Sequence, residues 1–327
     1  DRSCAMQNPL RLPAAIFLMG PTASGKSQIA LDIAKKFPTE IISVDSAQVY
    51  RYMNIGTAKP GQEILAHVPH HLIDLIDPDQ SYSAAQFRQD TLSLMQDISS
   101  RNKIPLLVGG TMLYFRALQE GLSILPAADQ DLRLKLENMA EKHGWPAMHQ
   151  KLSELDPVIA ARIKPTDSQR IQRALEVCYL TQQPMSEILK NFQPAAFPYR
   201  KISIALIPGE RSQLHLRIAE RFRSMLSAGL IEEVQSIRRK FPALSVESPS
   251  MRCVGYRQVC LYLDNKINSD ELHDMGIAAT RQLAKRQLTW LRSMRAADEI
   301  YEFDCLSSDL SAQVNHVIQT ALETGAD

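Results

Sequence analysis

Eight consecutive residues near the start of the chain, Gly20, Pro21, Thr22, Ala23, Ser24, Gly25, Lys26 and Ser27, have the spacing G-x-x-x-x-G-K-[ST] of a loop that cradles a diphosphate. Gly20 and Gly25 let the backbone wrap closely enough for successive amides to point inward at phosphate oxygens. Lys26 neutralises oxygen charge, and Ser27 offers a hydroxyl to Mg²⁺. A short apolar run, AAIFLM at 14–19, precedes the loop, and SQIALDIAKKF at 27–37 follows with apolar residues at helical spacing. A buried strand therefore delivers the chain to the loop, and a helix whose N-terminus carries partial positive charge leads it away. This establishes a diphosphate site and leaves open whether the ligand is a nucleoside triphosphate.

Two further groups belong to the same crevice. IISV at 41–44 runs into DSAQVY, which puts Asp45 at the carboxyl end of a strand, where ligands bind in open α/β sheets. There it could hold Mg²⁺ through water, act as a general base, or cap the following segment. IPLLV at 104–108 runs into VGGTMLY, which puts Thr111 at a strand-to-helix edge, as a site hydroxyl or a helix cap. A strand serving ATP hydrolysis would end in Asp, and this one ends in Gly-Gly-Thr. In GTAKP (56–60), Thr57 and Lys59 are expected to reach the crevice. His70 and His71 in PHHLID have no third ligand at metal spacing, so structural roles are expected for both.

These groups need a scaffold. A chain of 327 residues suggests roughly two domains of about 150 residues each. With 45% hydrophobic and 22% charged residues and a net charge of +1, it is neither disordered nor collagen-like nor basic throughout. No apolar run approaches the roughly 18 residues of a membrane span, and no secretory signal is visible. Five scattered cysteines (Cys4, Cys178, Cys253, Cys260, Cys305) without a CxxC pair fit a reducing cytoplasm. The opening DRSCA before Met6 reads as an addition outside the fold. The first third alternates short apolar runs with helical patterns, as βαβ units do, with a short strand expected at 71–76 and a helix from Ser83 to about 100. Over 126–198 the pattern becomes helices punctuated by Pro146, Pro157, Pro165, Pro184 and Pro194. A strand returns at 201–207, followed by helices at about 212–228, 231–241 and 269–295, an edge strand at 299–303 and a terminal helix. The fold class is α/β: a P-loop parallel sheet flanked by helices (12–125 and 199–327) with an inserted all-helical subdomain (126–198). Between 277 and 297 lie Arg281, Lys285, Arg286, Arg292 and Arg295 with no acidic residue, a local footprint for nucleic-acid phosphates. Trp290, at helical spacing, is expected in the core.

Taken in order, GPTASGKS, DSAQVY, GTAKP, PHHLID and VGGTMLY resemble the tRNA dimethylallyltransferases. RIAERFRSMLSAGLIEEV (217–234), RCVGYRQ (252–258) and ATRQLAKRQLTWLR (279–292) are similar to the bacterial branch of that family, so the resemblance spans about 12–292. It implies transfer of a dimethylallyl group from dimethylallyl diphosphate, as co-substrate, to the exocyclic amine of adenosine at tRNA position 37, with Mg²⁺ and without ATP. Asp45 matches the general base. Thr111 matches a threonine hydrogen-bonding near the breaking carbon–oxygen bond, and Arg221 or Arg217 matches an arginine on the leaving diphosphate. tRNA contacts are implied at Asp45, Ser46, Ala47, Gln48 and Thr111; at Arg252, Cys253, Val254, Gly255, Tyr256 and Arg257; at Arg281, Lys285 and Arg286; and, in the insertion, at Arg133, Ser168, Gln169, Arg170, Ile171 and Gln172. The target base is expected to flip into a channel while the insertion clamps the anticodon stem-loop. A cytoplasmic monomer is implied. A P-loop kinase of a nucleoside or small metabolite shares the cradle, and an RNA-binding module whose loop merely holds an anion is a third reading; neither accounts for both halves of the pattern.

Overall fold

The computed structural model describes residues 12–121, 124–191 and 196–325. Cys4, Met6 and Pro194 lie outside these. Six parallel strands form one sheet: β1 (Ala14–Met19), β2 (Thr39–Val44), β3 (His70–His71), β4 (Ile104–Gly109), β5 (Arg200–Ile207) and β6 (Tyr301–Asp304), in the order β3-β2-β4-β1-β5-β6. Apolar residues fill both sides of the central strands because helices cover both faces. Along β1, Ala15, Phe17 and Met19 enter one core, while Ile16 and Leu18 enter the other.

The helices are α1 (Lys26–Lys36), α2 (Gln62–His67), α3 (Ala84–Ser100), α4 (Met112–Glu120), α5 (Gln130–His143), α6 (Trp145–Leu155), α7 (Pro157–Ala160), α8 (Ser168–Thr181), α9 (Met185–Asn191), α10 (Arg211–Ser227), α11 (Leu230–Lys240), α12 (Tyr256–Leu263), α13 (Ser269–Ala297) and α14 (Leu310–Thr324). α1 and α14 pack on the face carrying Ile16, through Ile29, Ile33, Val314 and Ile318, whereas α3, α4 and α13 pack on the other, through Phe87, Phe115 and Leu288. Ser83 starts α3 with a full capping box: its hydroxyl accepts the Gln86 amide, and the Gln86 side chain returns to the Ser83 amide. The strand expected at 71–76 is shorter. Leu72 (φ 66°) and Asp74 (φ 56°) are left-handed, which turns the chain out of the sheet and leaves only a bridge between Tyr50 and Ile76.

β4 ends in glycine for a steric reason. A Cβ on Gly109 would collide with the backbone carbonyl of Val44, so no acid can occupy that strand end.

The chain divides into two compact units, one comprising Glu120–Ala196 and the other the remainder. The smaller unit holds α5 to α9 around Leu136, Met148, Leu152, Ile171 and Leu175. Pro146 and Pro157 stand in the first turns of α6 and α7, where the missing amide breaks no helical bond. Inside this unit the fully buried Glu176 accepts hydrogen bonds from Arg133, Arg173 and the Asp129 amide. Burial alone would raise the Glu176 carboxyl, but the two guanidinium groups outweigh it and hold it near about 2.

Candidate active site

A cavity of about 910 Å³ opens at the carboxyl ends of β1, β2 and β4. Its lining joins segments far apart in sequence: Thr22, Ala23, Gly25, Lys26 and Ser27 after β1; Asp45, Ser46, Ala47 and Gln48 after β2; and Gly110 and Thr111 after β4. Arg221, Arg252 and Arg286 complete it from the C-terminal helices.

The cradle is built from backbone geometry. Ala23 (φ 64°) and Gly25 (φ 80°) are both left-handed, wrapping the chain before α1 begins. No side chain caps α1 and no acid stands in its first turn, so its N-terminus is disposed toward an anion. Gly20, Pro21 and Ser24 do not line the cavity. Pro21 accepts the Ser24 amide and the Lys26 ammonium through its carbonyl, and the fully buried Ser24 hydroxyl abuts Gly20. These three shape the loop from behind.

Lys26 is half-buried, and its pKa is pushed down to about 8, chiefly by desolvation and then by the Arg221 charge, against a smaller opposing pull from Asp45. Burial lowers Arg221 as well, with Asp45 again pulling the other way. Two cations that repel one another, only partly offset by Asp45, are what a diphosphate would relieve. Binding favours protonated Lys26, so affinity is constant below the pKa and falls above it as the ammonium is lost. Isothermal titration with inorganic pyrophosphate should show wild-type affinity, taken relative to Lys26→Arg, falling about tenfold per pH unit above pH 8. A ratio that stays flat to pH 9.5 would contradict the assignment.

Asp45 is the hinge of a tight turn: its Oδ1 accepts the amides of Ala47 (2.8 Å) and Gln48 (3.2 Å). Thr111 reaches the same turn across the sheet, its Oγ1 accepting the Ser46 amide at 3.0 Å. The carboxylate and the hydroxyl are thereby held as one piece. Gln48 donates to the Thr57 carbonyl and accepts from the Ser43 hydroxyl, fixing the far end of the turn.

Thr57 and Lys59 line the cavity, but the Thr57 hydroxyl donates to the Met53 carbonyl, and Lys59 donates to Tyr50, Asn54 and Asp74, so both brace their own loop. His71 pairs with Glu40, as the structural reading expects; His70 Nδ1 donates to the Val68 carbonyl, yet the residue also lines the cavity. Arg217 is exposed and outside the lining, and its charge acts on Asp304 and Cys305. Tyr256, which also lines the cavity, is fully buried, its hydroxyl donating to Glu233 and accepting the Gly56 amide, so it holds the GTAKP loop. Ile171 is likewise fully buried, in the smaller unit's core. Arg133 is tied to Glu176, and Gln172 to the Arg133 carbonyl and Glu137.

Arg170 is exposed and pairs with Asp167; Gln169 is exposed, and Ser168 is half-buried at the start of α8. Arg252, Cys253, Val254 and Gly255 line the cavity, whereas Arg257 does not. Burial pushes the Cys253 thiol up to about 12, so it is no thiolate nucleophile. On α13, Arg281, Lys285, Arg286 and Arg292 are exposed, and Arg295 pairs with Glu302. Trp290 is half-buried against the core, as expected, but its ring also lines the cavity and carries the Arg116 guanidinium at 5.6 Å.

One residue went unread in the sequence. Gln287 on α13 accepts the Thr22 amide at 2.9 Å and donates to the Gly110 carbonyl at 3.0 Å. Its only local signal is a polar side chain in the stripe Thr280, Leu283, Gln287, Trp290, all of which line the cavity.

Among the described residues no group of three or more His, Cys, Asp or Glu could hold a metal alone. Ser27 and Asp45, oxygen donors in one cavity, suit a hard cation such as Mg²⁺, which takes most of its remaining shell from phosphates and water. No helix among the described residues is long and apolar enough to cross a membrane.

Comparison with known proteins gives a consistent picture. A family model described as IPP transferase matches residues 48–294, and one described as Isopentenyl transferase matches 13–79. The chain is 62% identical over 307 residues to a protein named tRNA dimethylallyltransferase from Nitrosomonas eutropha, covering 94% of this chain and 96% of that protein. It is 63% identical over 312 residues to one of the same name from Nitrosospira multiformis, covering 95% of each. Among solved structures, the full-length tRNA isopentenylpyrophosphate transferase from Bacillus halodurans matches with a TM-score of 0.69 and 35% identity, covering 96% of this chain and 98% of that one. A eukaryotic dimethylallyltransferase acting on tRNA matches with a TM-score of 0.73 and 26% identity, covering 95% and 78%.

Proposed function

The chain belongs to the IPP transferase family, and from that membership we infer that it moves a dimethylallyl group from dimethylallyl diphosphate to the exocyclic amine of adenosine at tRNA position 37, beside the anticodon, releasing diphosphate. The observation that carries the reading is the convergence of a diphosphate cradle, a carboxylate, a hydroxyl and an arginine in one cavity.

An adenine amine is a weak nucleophile because its lone pair is delocalised into the ring. The barrier must therefore fall mainly by stabilising charge on the departing diphosphate. The α1 N-terminus, Lys26 and Arg221 are the groups we assign to that task. Mg²⁺, held by Ser27 together with diphosphate oxygens, would add positive charge at the leaving group. As the nitrogen–carbon bond forms, the carbon–oxygen bond breaks and its electron pair leaves with the diphosphate, while Asp45 takes the amine proton. The Thr111 hydroxyl accepts the Ser46 amide and donates to the Ser46 hydroxyl at 3.4 Å, a long bond, and we assign it to turn that hydrogen to the substrate.

For the RNA, we assign phosphate contacts to Arg252, Arg281, Lys285 and Arg286, which are exposed. The base leaves its loop to reach the cavity, a movement made easier because that loop is unpaired. The helical unit, with Arg170 exposed, is assigned the anticodon stem-loop as a clamp. The enzyme acts as a cytoplasmic monomer in this reading.

The test is direct. Protein, Mg²⁺, labelled dimethylallyl diphosphate and unmodified tRNA with adenosine at position 37 should yield labelled RNA and one diphosphate per label. Consumption of ATP with a nucleoside or metabolite, and no labelled RNA, would instead support the kinase reading.

A further inference from the structure

We propose that Gln287 is a positioning residue that sets the leaving-group cradle in register with the proton-accepting turn. The proposal rests on the prenyl-transfer reading and deepens it. The carboxamide accepts the Thr22 amide with one end and donates to the Gly110 carbonyl with the other, so a single side chain joins the loop after β1 to the loop after β4. From Gly110 the connection continues through the next residue: Thr111 Oγ1 accepts the Ser46 amide, and Ser46 follows Asp45, whose Oδ1 holds the amides of Ala47 and Gln48. A displacement of either loop therefore changes the separation between the diphosphate site and Asp45.

The residue types around Gln287 fit this task. Gly110 is buried, and a Cβ there would run into the Gln287 amide nitrogen; glycine leaves the room that the contact needs. Gly20 donates its own amide to the Gly109 carbonyl at only 3.4 Å, a long bond, so the backbone link between the two loops is weak and the side-chain bridge supplements it. Gln287 itself is half-buried in the cavity wall, between Ala284, Leu288 and Leu291, which anchor α13 in the core. On the same helix Arg281, Lys285 and Arg286 are exposed. The helix that presents cations to RNA thus also ends one of its side chains on the cradle.

Both hydrogen-bonding ends are required, which makes the inference specific. Met matches the size of Gln and makes neither bond. A Glu carboxylate can accept from Thr22 but cannot donate to Gly110, whereas the protonated acid has one O–H donor and one acceptor and restores both. Register errors of about 1 Å cost as much as 10²-fold, so Gln287→Met should lower kcat by about 10- to 100-fold, with pyrophosphate and tRNA affinities near wild type.

The experiment is a pH series of kcat for wild type, Gln287→Met and Gln287→Glu in the labelled-tRNA assay, with the melting temperature of each. The expected result is a Met-to-wild-type ratio that is low at every pH and a Glu-to-wild-type ratio that rises as pH falls. The titratable Lys26, Asp45, His70 and Cys253 and the charged Arg221, Arg252 and Arg286 line the same cavity and are all present in the neutral Met variant, so a Met ratio level with pH assigns the rise in the Glu ratio to the new carboxyl. A Glu ratio flat with pH, or a Met variant with wild-type kcat, would overturn the proposal. If Gln287→Met fails to fold, the pH dependence of Gln287→Glu decides alone. Absence of label transfer by wild type would remove the prenyl-transfer reading and this proposal with it; transfer by wild type with a flat Glu ratio removes only the proposal.

Discussion

Replacing Asp45 by Asn should lower the turnover of prenyl transfer by about 10²- to 10⁴-fold, the range for loss of a general base, while tRNA affinity stays near wild type. The choice of Asn follows from the turn. Asp45 Oδ1 accepts the Ala47 amide at 2.8 Å and the Gln48 amide at 3.2 Å, and an amide oxygen can accept both, so Asp45→Asn keeps the backbone where it is. What disappears is the ability to take a proton from the attacking amine. Asp45→Ala is a different experiment: it also releases two backbone amides and loosens Ser46, Ala47 and Gln48, which line the cavity, so its loss should appear in KM for tRNA as well as in kcat. Steady-state kinetics with an anticodon stem-loop, together with equilibrium binding, separates the two. Wild-type kcat in Asp45→Asn would take Asp45 out of the proton transfer.

How much of this was legible in the sequence depends on the range of the contact. The cradle, the Asp45 turn and Thr111 are each local: a few residues at fixed spacing next to a strand end, so the spacing alone places them at one sheet edge. The helix start at Ser83 is local too, and α3 begins there. The third strand was misread because HLIDLI has strand-like hydropathy, whereas its ending is decided by left-handed backbone at Leu72 and Asp74. Motif membership also does not reveal which side chains are buried. Tyr256 and Ile171 stand in segments matched to RNA contact, yet both are in cores, because the segments are helices with one face inward. Gln287 is the opposite case: it meets Thr22 across 265 residues of sequence, and no local pattern encodes such a meeting.

The choice between Arg221 and Arg217 shows where structure decides what spacing leaves open. The two are one turn apart on α10, and either fits the sequence pattern. Arg221 is half-buried in the cavity wall, its charge felt by Lys26 and drawn by Asp45. Arg217, one turn earlier, is exposed beside Asp304 and Cys305. Arg221→Ala should therefore lower kcat/KM by about 10²- to 10³-fold, as loss of one donor to a developing anion typically does, and Arg217→Ala should leave it near wild type. Arg221→Lys keeps the charge but not the planar fork that can grip two diphosphate oxygens, so it should fall between them. The electrostatics add a second, independent readout. Arg221 is one of the influences holding the Lys26 pKa down at about 8, so removing it lets that pKa rise, and the pH above which pyrophosphate affinity declines should move upward in Arg221→Ala. A similar loss of kcat/KM in Arg217→Ala would reverse the assignment. An unmoved pH break in Arg221→Ala would mean that the two cations do not share one anion site.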